Sequence, residues 1–132
     1  MLAIRRICSQ RGTSTLELII ALPILLFILF GIAEVSRLWH TLNIVTTAAR
    51  EGARAGSVSG AAPGVAGARA NEILAAANLT PAGAPTVNCD PCVPDSPVTV
   101  SVTVSYTTIF PLLLPMLAGP FPITQTASMR RE

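Results

Sequence analysis

Lysine is absent from this 132-residue chain; all nine basic residues are arginines. Alongside abundant Ala, Gly and Pro, that bias reads as a GC-rich coding preference rather than a physical demand. Charge of either sign is scarce, at 12% of residues against the usual ~25%. No basic patch with interleaved aromatics occurs, so nucleic-acid binding has no support. The single histidine, His40, has no acid or nucleophile beside it in sequence, and an interfacial hydrogen-bonding role fits it better than catalysis. The chain carries no phosphate loop, no paired-carboxylate arrangement and no nucleophile elbow. The expectation is therefore a protein that is not an enzyme and needs no metal or cofactor. Internal repeats are absent too.

What the chain does have is apolar length: 51% of its residues are hydrophobic. From Leu18 to Ala33 there is no charge. At ~1.5 Å per residue that run reaches roughly 24 Å, a little short of a ~30 Å hydrocarbon core. Leu16 before it, and Val35, Leu38 and Trp39 after it, complete a crossing. Trp39 is an aromatic suited to the membrane–water boundary. Arg5, Arg6 and Arg11 precede the run, and the positive-inside rule puts them in the cytoplasm. Beyond Gly12 six arginines face seven acids, so the net positive charge of the chain resides in its first twelve residues.

Glu17 is the anomaly. A carboxylate inside an apolar helix costs up to ~2.5–3.5 kcal/mol at the bilayer centre and less near an end. One reading gives it a function and a cationic partner. The plain reading sets it at the interface in the first helical turn, near the positive end of the helix dipole. Pro23 lies inside the same run and removes one backbone hydrogen bond. Membrane helices tolerate this where neighbours satisfy the freed carbonyl.

A helix is predicted from Thr13 to about Gly56. Ala48, Gly52 and Gly56 recur every fourth residue and make a groove for close packing. It would receive either another subunit's helix or the chain's own sheet. Glu34 and Arg37, three apart, read as a surface pair at the interface. Arg50 and Arg54, with Glu51, read as a solvated or inter-subunit stripe. A Gly/Ser/Pro loop then leads to an Ala-rich helix over Ala68–Leu79. Val98 to Tyr106 alternates apolar and hydroxyl residues, the period of a half-buried strand. Thr86–Cys89 is its expected hairpin partner and Ile123–Met129 a closing strand. Ile109–Pro122 is apolar and broken by prolines, too short to span a bilayer. A short helix against the bilayer or over the sheet is expected there.

Cys89 and Cys92 form a Cys-x-x-Cys. Redox motifs place that pair at a helix start, where the dipole lowers the thiol pKa. Here Pro94 and Pro97 follow and no helix does. A metal site would need two more ligands. A disulfide clipping a small loop is the expectation, with free thiols the other reading.

Gly12-Thr13-Ser14-Thr15-Leu16-Glu17, behind its arginines and before the apolar helix, resembles the prepilin-peptidase site of type IV pilins. The longer stretch from Gly12 to Gly56, and the ending ITQTASMRRE, resemble the TadE-like pseudopilins of the tight-adherence (Flp) pilus machinery. The resemblance implies cleavage between Gly12 and Thr13. It implies that Glu17 pairs with the new amine at Thr13, and that Pro23 loosens the helix on assembly. Its implied partners are other pilin and pseudopilin subunits, prepilin peptidase, the inner-membrane pilus assembly platform and the bilayer. The expected architecture is α+β: a cytoplasmic leader over 1–12, a transmembrane helix over 13–39, and a periplasmic domain over 40–132 holding a short helix and a three-stranded antiparallel sheet. Two rival readings stand beside it. Gly31-Ile32-Ala33 also fits a signal-peptidase site, giving a periplasmic protein with a dithiol role. The other is an uncleaved anchor that docks a partner.

Overall fold

The computed structural model describes residues 10–58, 61–62, 64–89, 93–109 and 119–132, with side chains from Thr15 onward. It has the α+β architecture read from the sequence. Helix α1 (Gln10–Ser57) runs without interruption for 48 residues, Pro23 included. Helix α2 (Val65–Ala76) follows, then strands β1 (Thr86–Asn88), β2 (Pro97–Tyr106) and β3 (Phe121–Arg130). The strands form one antiparallel sheet in the order β1-β2-β3. The 110–118 part of the apolar Ile109–Pro122 stretch lies outside the described residues.

The β2–β3 ladder is unbroken from Pro97↔Arg130 to Tyr106↔Phe121. It lies lengthwise on α1. At one end the Tyr106 hydroxyl meets Glu34; at the other the Glu132 amide donates to the Ser57 carbonyl at 3.0 Å. Those helix positions are ~35 Å apart at 1.5 Å per residue, and a ten-residue strand spans about the same. The sheet therefore covers the last half of α1 and none of the apolar first half.

Alternation along β2 does what the sequence predicts. Val98, Val100, Val102, Val104 and Tyr106 are buried. On the other face Thr99, Ser101 and Thr103 bond across to Ser128, Thr126 and Thr124 at 3.3, 2.8 and 2.9 Å. The buried valines meet Val45, Ala48, Ala49 and Ala53 of α1 and Ala66, Ala70 and Leu74 of α2. Small helix residues let the layers approach closely, and the valines fill the gap that remains.

Helix α2 starts and stops three residues earlier than the Ala68–Leu79 expected. Its end explains the difference. Asn78 adopts a left-handed φ of 54°, the Leu79 amide reaches back to the Leu74 carbonyl at 2.9 Å, and the Asn78 amide to Ala75 at 3.0 Å. This is a Schellman cap, with asparagine in place of the usual glycine. Leu79 packs against the core as the cap's hydrophobic contact rather than as a further helical residue.

Candidate functional site

Past Thr15, the first half of α1 is almost wholly apolar. From Thr15 to Ala33 every side chain is exposed except Gly31, which is half-covered. Leu18, Ile19, Ile20, Leu22, Ile24, Leu25 and their successors point outward all round the helix. The helix is long and apolar enough to cross a membrane, with a mean hydropathy of 2.7 in its most apolar window. Nineteen residues at 1.5 Å give ~28 Å, matched to a ~30 Å hydrocarbon core. Water would have to hydrate all of that surface, and lipid would not.

Within this rod Glu17 is exposed, with no hydrogen bond or ion pair to the described residues. Gly12 and Thr13 lie in helical backbone, since α1 begins at Gln10. Arg11 shares that backbone; Arg5 and Arg6 lie outside the described residues.

The small-residue groove is filled from within the chain. A Cβ added at Gly52 would stand 2.8 Å from the Ala66 carbonyl oxygen and 3.4 Å from Val100. At Gly56 it would stand 2.9 Å from the Ala66 methyl and 3.1 Å from Val98. Ala48 is fully buried in the same core. Both α2 and β2 occupy the groove, so α1 offers another subunit no access along this face.

Glu34 is not the surface residue its sequence position implied. It is 5% exposed, and its Oε1 accepts the Tyr106 hydroxyl at 2.8 Å and the Ile109 amide at 3.4 Å. Arg37 lies 3.6 Å from the same oxygen and stands over the Tyr106 ring, 5.7 Å from its centroid. Glu34 Oε2 is buried with no hydrogen-bond partner among the described residues. Burial, and then the bond to Glu34, push the Tyr106 hydroxyl above its ordinary pKa. The Glu34–Arg37 spacing showed the local pair. Nothing local showed that β2 returns 72 residues later to cover it.

Beside this cluster a cavity of about 450 Å³ opens between α1 and the end of α2, lined by Ser36, Arg37, His40 and Thr41 on one side and Ile44, Ala77 and Leu79 on the other. The expected boundary residue Trp39 is 67% exposed.

Cys89 is disulfide-bonded, with the Arg131 guanidinium 3.8 Å from its sulfur. Cys8 and Cys92 lie outside the described residues. Among the described residues no group of His, Cys, Asp and Glu could hold a metal ion.

No curated protein and no solved structure matches the chain. A family model described as TadE-like protein matches residues 12–54. The match starts at the glycine of the proposed cleavage site, spans the whole apolar rod and ends beside the Gly52–Gly56 groove. From residue 12 to residue 54, then, the long helix on which this molecule is built is similar to that of the TadE-like family.

Proposed function

We propose that this chain is a minor pilin or pseudopilin that assembles into, or primes, a tight-adherence (Flp, type IVb-like) pilus. The observation that carries the reading is the family-matched helix itself, apolar and solvent-exposed over nearly all of Thr15–Ala33 and bearing one carboxylate, Glu17, in that stretch. An apolar rod with that much exposed surface needs either lipid or other rods around it. A pilin uses both, first in the membrane and then in the filament.

On this reading prepilin peptidase cuts between Gly12 and Thr13. The leader carrying Arg5, Arg6 and Arg11 is lost, and a cationic amine appears at Thr13. Glu17, one turn away, takes that amine from its own or a neighbouring subunit, because a carboxylate in low dielectric needs a paired cation. Cleavage is thereby linked to assembly. Pro23 leaves one carbonyl of the rod without its helical donor, which lets the rod adjust as it packs. The chain sits in the inner membrane with its N-terminus cytoplasmic and its head periplasmic, and its partners are the peptidase, the assembly platform and other pilin subunits. On the periplasmic side Cys89 pairs with Cys92 as a loop clip.

N-terminal sequencing of protein from native membranes tests the cut; a start at Thr13 is expected, and a start at Glu34 would replace this reading with secretion by signal peptidase. Glu17→Ala is expected to leave cleavage largely intact and to abolish incorporation. Normal piliation in that variant would remove the role given to Glu17.

A further inference from the structure

We propose that the cavity lined by Ser36, Arg37, His40 and Thr41 binds the headgroup of an anionic phospholipid in the outer leaflet. The inference rests on α1 spanning the bilayer, and adds to that reading a site with its own chemistry.

Three observations lead to it. The first is level. The all-round exposed part of α1 ends at Ala33, and Glu34 is the first buried position. Ser36 and His40 lie three and seven residues farther, ~5 to ~10 Å along the axis, and the headgroup layer occupies about that depth beyond the hydrocarbon. The second is chemistry. Arg37 contributes a guanidinium with its side chain 47% exposed, and its 3.6 Å approach to Glu34 is an ion pair rather than a hydrogen bond. Its N–H groups remain for a phosphate, whose geometry a guanidinium matches in two-pronged fashion. Neither the Ser36 hydroxyl nor the His40 ring has a hydrogen-bond partner among the described residues, and both line the same cavity. The Thr41 hydroxyl is already turned to the Arg37 carbonyl at 3.1 Å. The third is shape. The opposite wall is apolar, made by Ile44, Ala77 and Leu79. A site polar on one wall and greasy on the other suits a molecule built the same way.

The charges facing Arg37 are accounted for. Glu34 on α1 lies 3.6 Å away and offsets part of its charge, and Tyr106 on β2 presents its ring face. The guanidinium would thus bridge a buried carboxylate and an exposed phosphate. That arrangement holds a cation on the far side of a membrane, where the positive-inside bias otherwise disfavours one.

The test uses the full chain reconstituted in nanodiscs of equal phosphatidylcholine and phosphatidylglycerol, with lipid retained on release counted by native mass spectrometry. Phosphatidylglycerol should be retained about fivefold over phosphatidylcholine, the preference one cation at a surface supplies. Ser36→Ala with His40→Gln keeps the Arg37–Glu34–Tyr106 cluster and should reduce that preference; Arg37→Gln should remove it. Arg50→Gln, which removes an exposed charge higher on α1, should leave it intact; an equal loss there would mean general attraction to an anionic surface and would overturn the site. Equal retention of both lipids by the unaltered chain would overturn it as well. Release of the lipid by excess inorganic phosphate would reassign the cavity to free phosphate. Carbonate extraction of the chain from vesicles of the same composition separates the two readings: extraction sinks the membrane span and the site together, whereas retention without lipid preference sinks the site alone.

Discussion

The Tyr106 hydroxyl donates to Glu34 Oε1 at 2.8 Å, across 72 residues of chain, where the end of the sheet reaches the rod just past its exposed apolar part. A hydrogen bond to an ionised group is worth ~1.5–3 kcal/mol, and its loss here leaves a buried carboxylate still poorer in donors. Tyr106→Phe should lower unfolding stability by about 2 kcal/mol. Chemical denaturation of the full chain in detergent, monitored at Trp39, checks it. An unchanged midpoint would mean that the contact adds nothing to folding.

Stability should also fall at high pH for the same reason. Burial and the Glu34 bond raise the Tyr106 pKa above its ordinary value near 10. The native state therefore keeps a proton that the unfolded chain has already lost. Its contribution is fully present below pH ~10 and is lost as pH rises through the native-state pKa. As Tyr106 is the chain's one tyrosine, phenolate absorbance reports this group alone. The expected result is a decline that begins above pH ~10 and that Tyr106→Phe flattens.

The groove makes a prediction in which two similar glycines part company. Gly52→Ala and Gly56→Ala each crowd a filled interface, which costs ~1–3 kcal/mol, against a helix-propensity gain of ~1 kcal/mol. At Gly56 the nearest obstruction is the Ala66 methyl, with Val98 next at 3.1 Å, so Ala66→Gly should relieve part of the cost. At Gly52 the obstruction is the Ala66 carbonyl oxygen, which no substitution at residue 66 removes. A double-mutant cycle should show coupling for the first pair and none for the second. Gly67 lies in α2 where an added Cβ would meet nothing within 4 Å, and it should by contrast accept alanine with a gain of ~0.5–1 kcal/mol.

If Cys89 and Cys92 form the clip proposed above, reducing it should cost little. A ~15-residue loop is worth about 3 kcal/mol in the chain-entropy account, and a loop of two intervening residues less. Thermal melts with and without reductant should both be cooperative. Collapse of the fold on reduction would show that the bond fastens distant segments instead.

Much of this molecule is legible because its periodicities are strong. The unbroken apolar run announces the rod, and the alternation of Val98 to Tyr106 announces the central strand. The groove residues are visible as Ala48, Gly52 and Gly56, but spacing alone does not say what fills a groove; long-range packing by α2 and β2 decides that. The end of α2 misleads because the Ala-rich, helix-compatible composition runs on to Leu79 after the backbone has turned at Asn78. Glu34 misleads for a deeper reason. Its burial depends on where Tyr106 lands, and that is set by the whole length of the sheet on α1 rather than by any residue near Glu34.

The lengthwise seating of the sheet has a mechanical consequence. No linker separates the exposed apolar half of α1 from the half that carries β2 and β3. A pull along the rod reaches the head as shear along the strands, spread over every contact between Glu34 and Ser57 at once, instead of peeling them apart one by one. In the proposed pilus role, a subunit drawn out of a bilayer and held in a filament under tension would be loaded in the direction in which it is strongest.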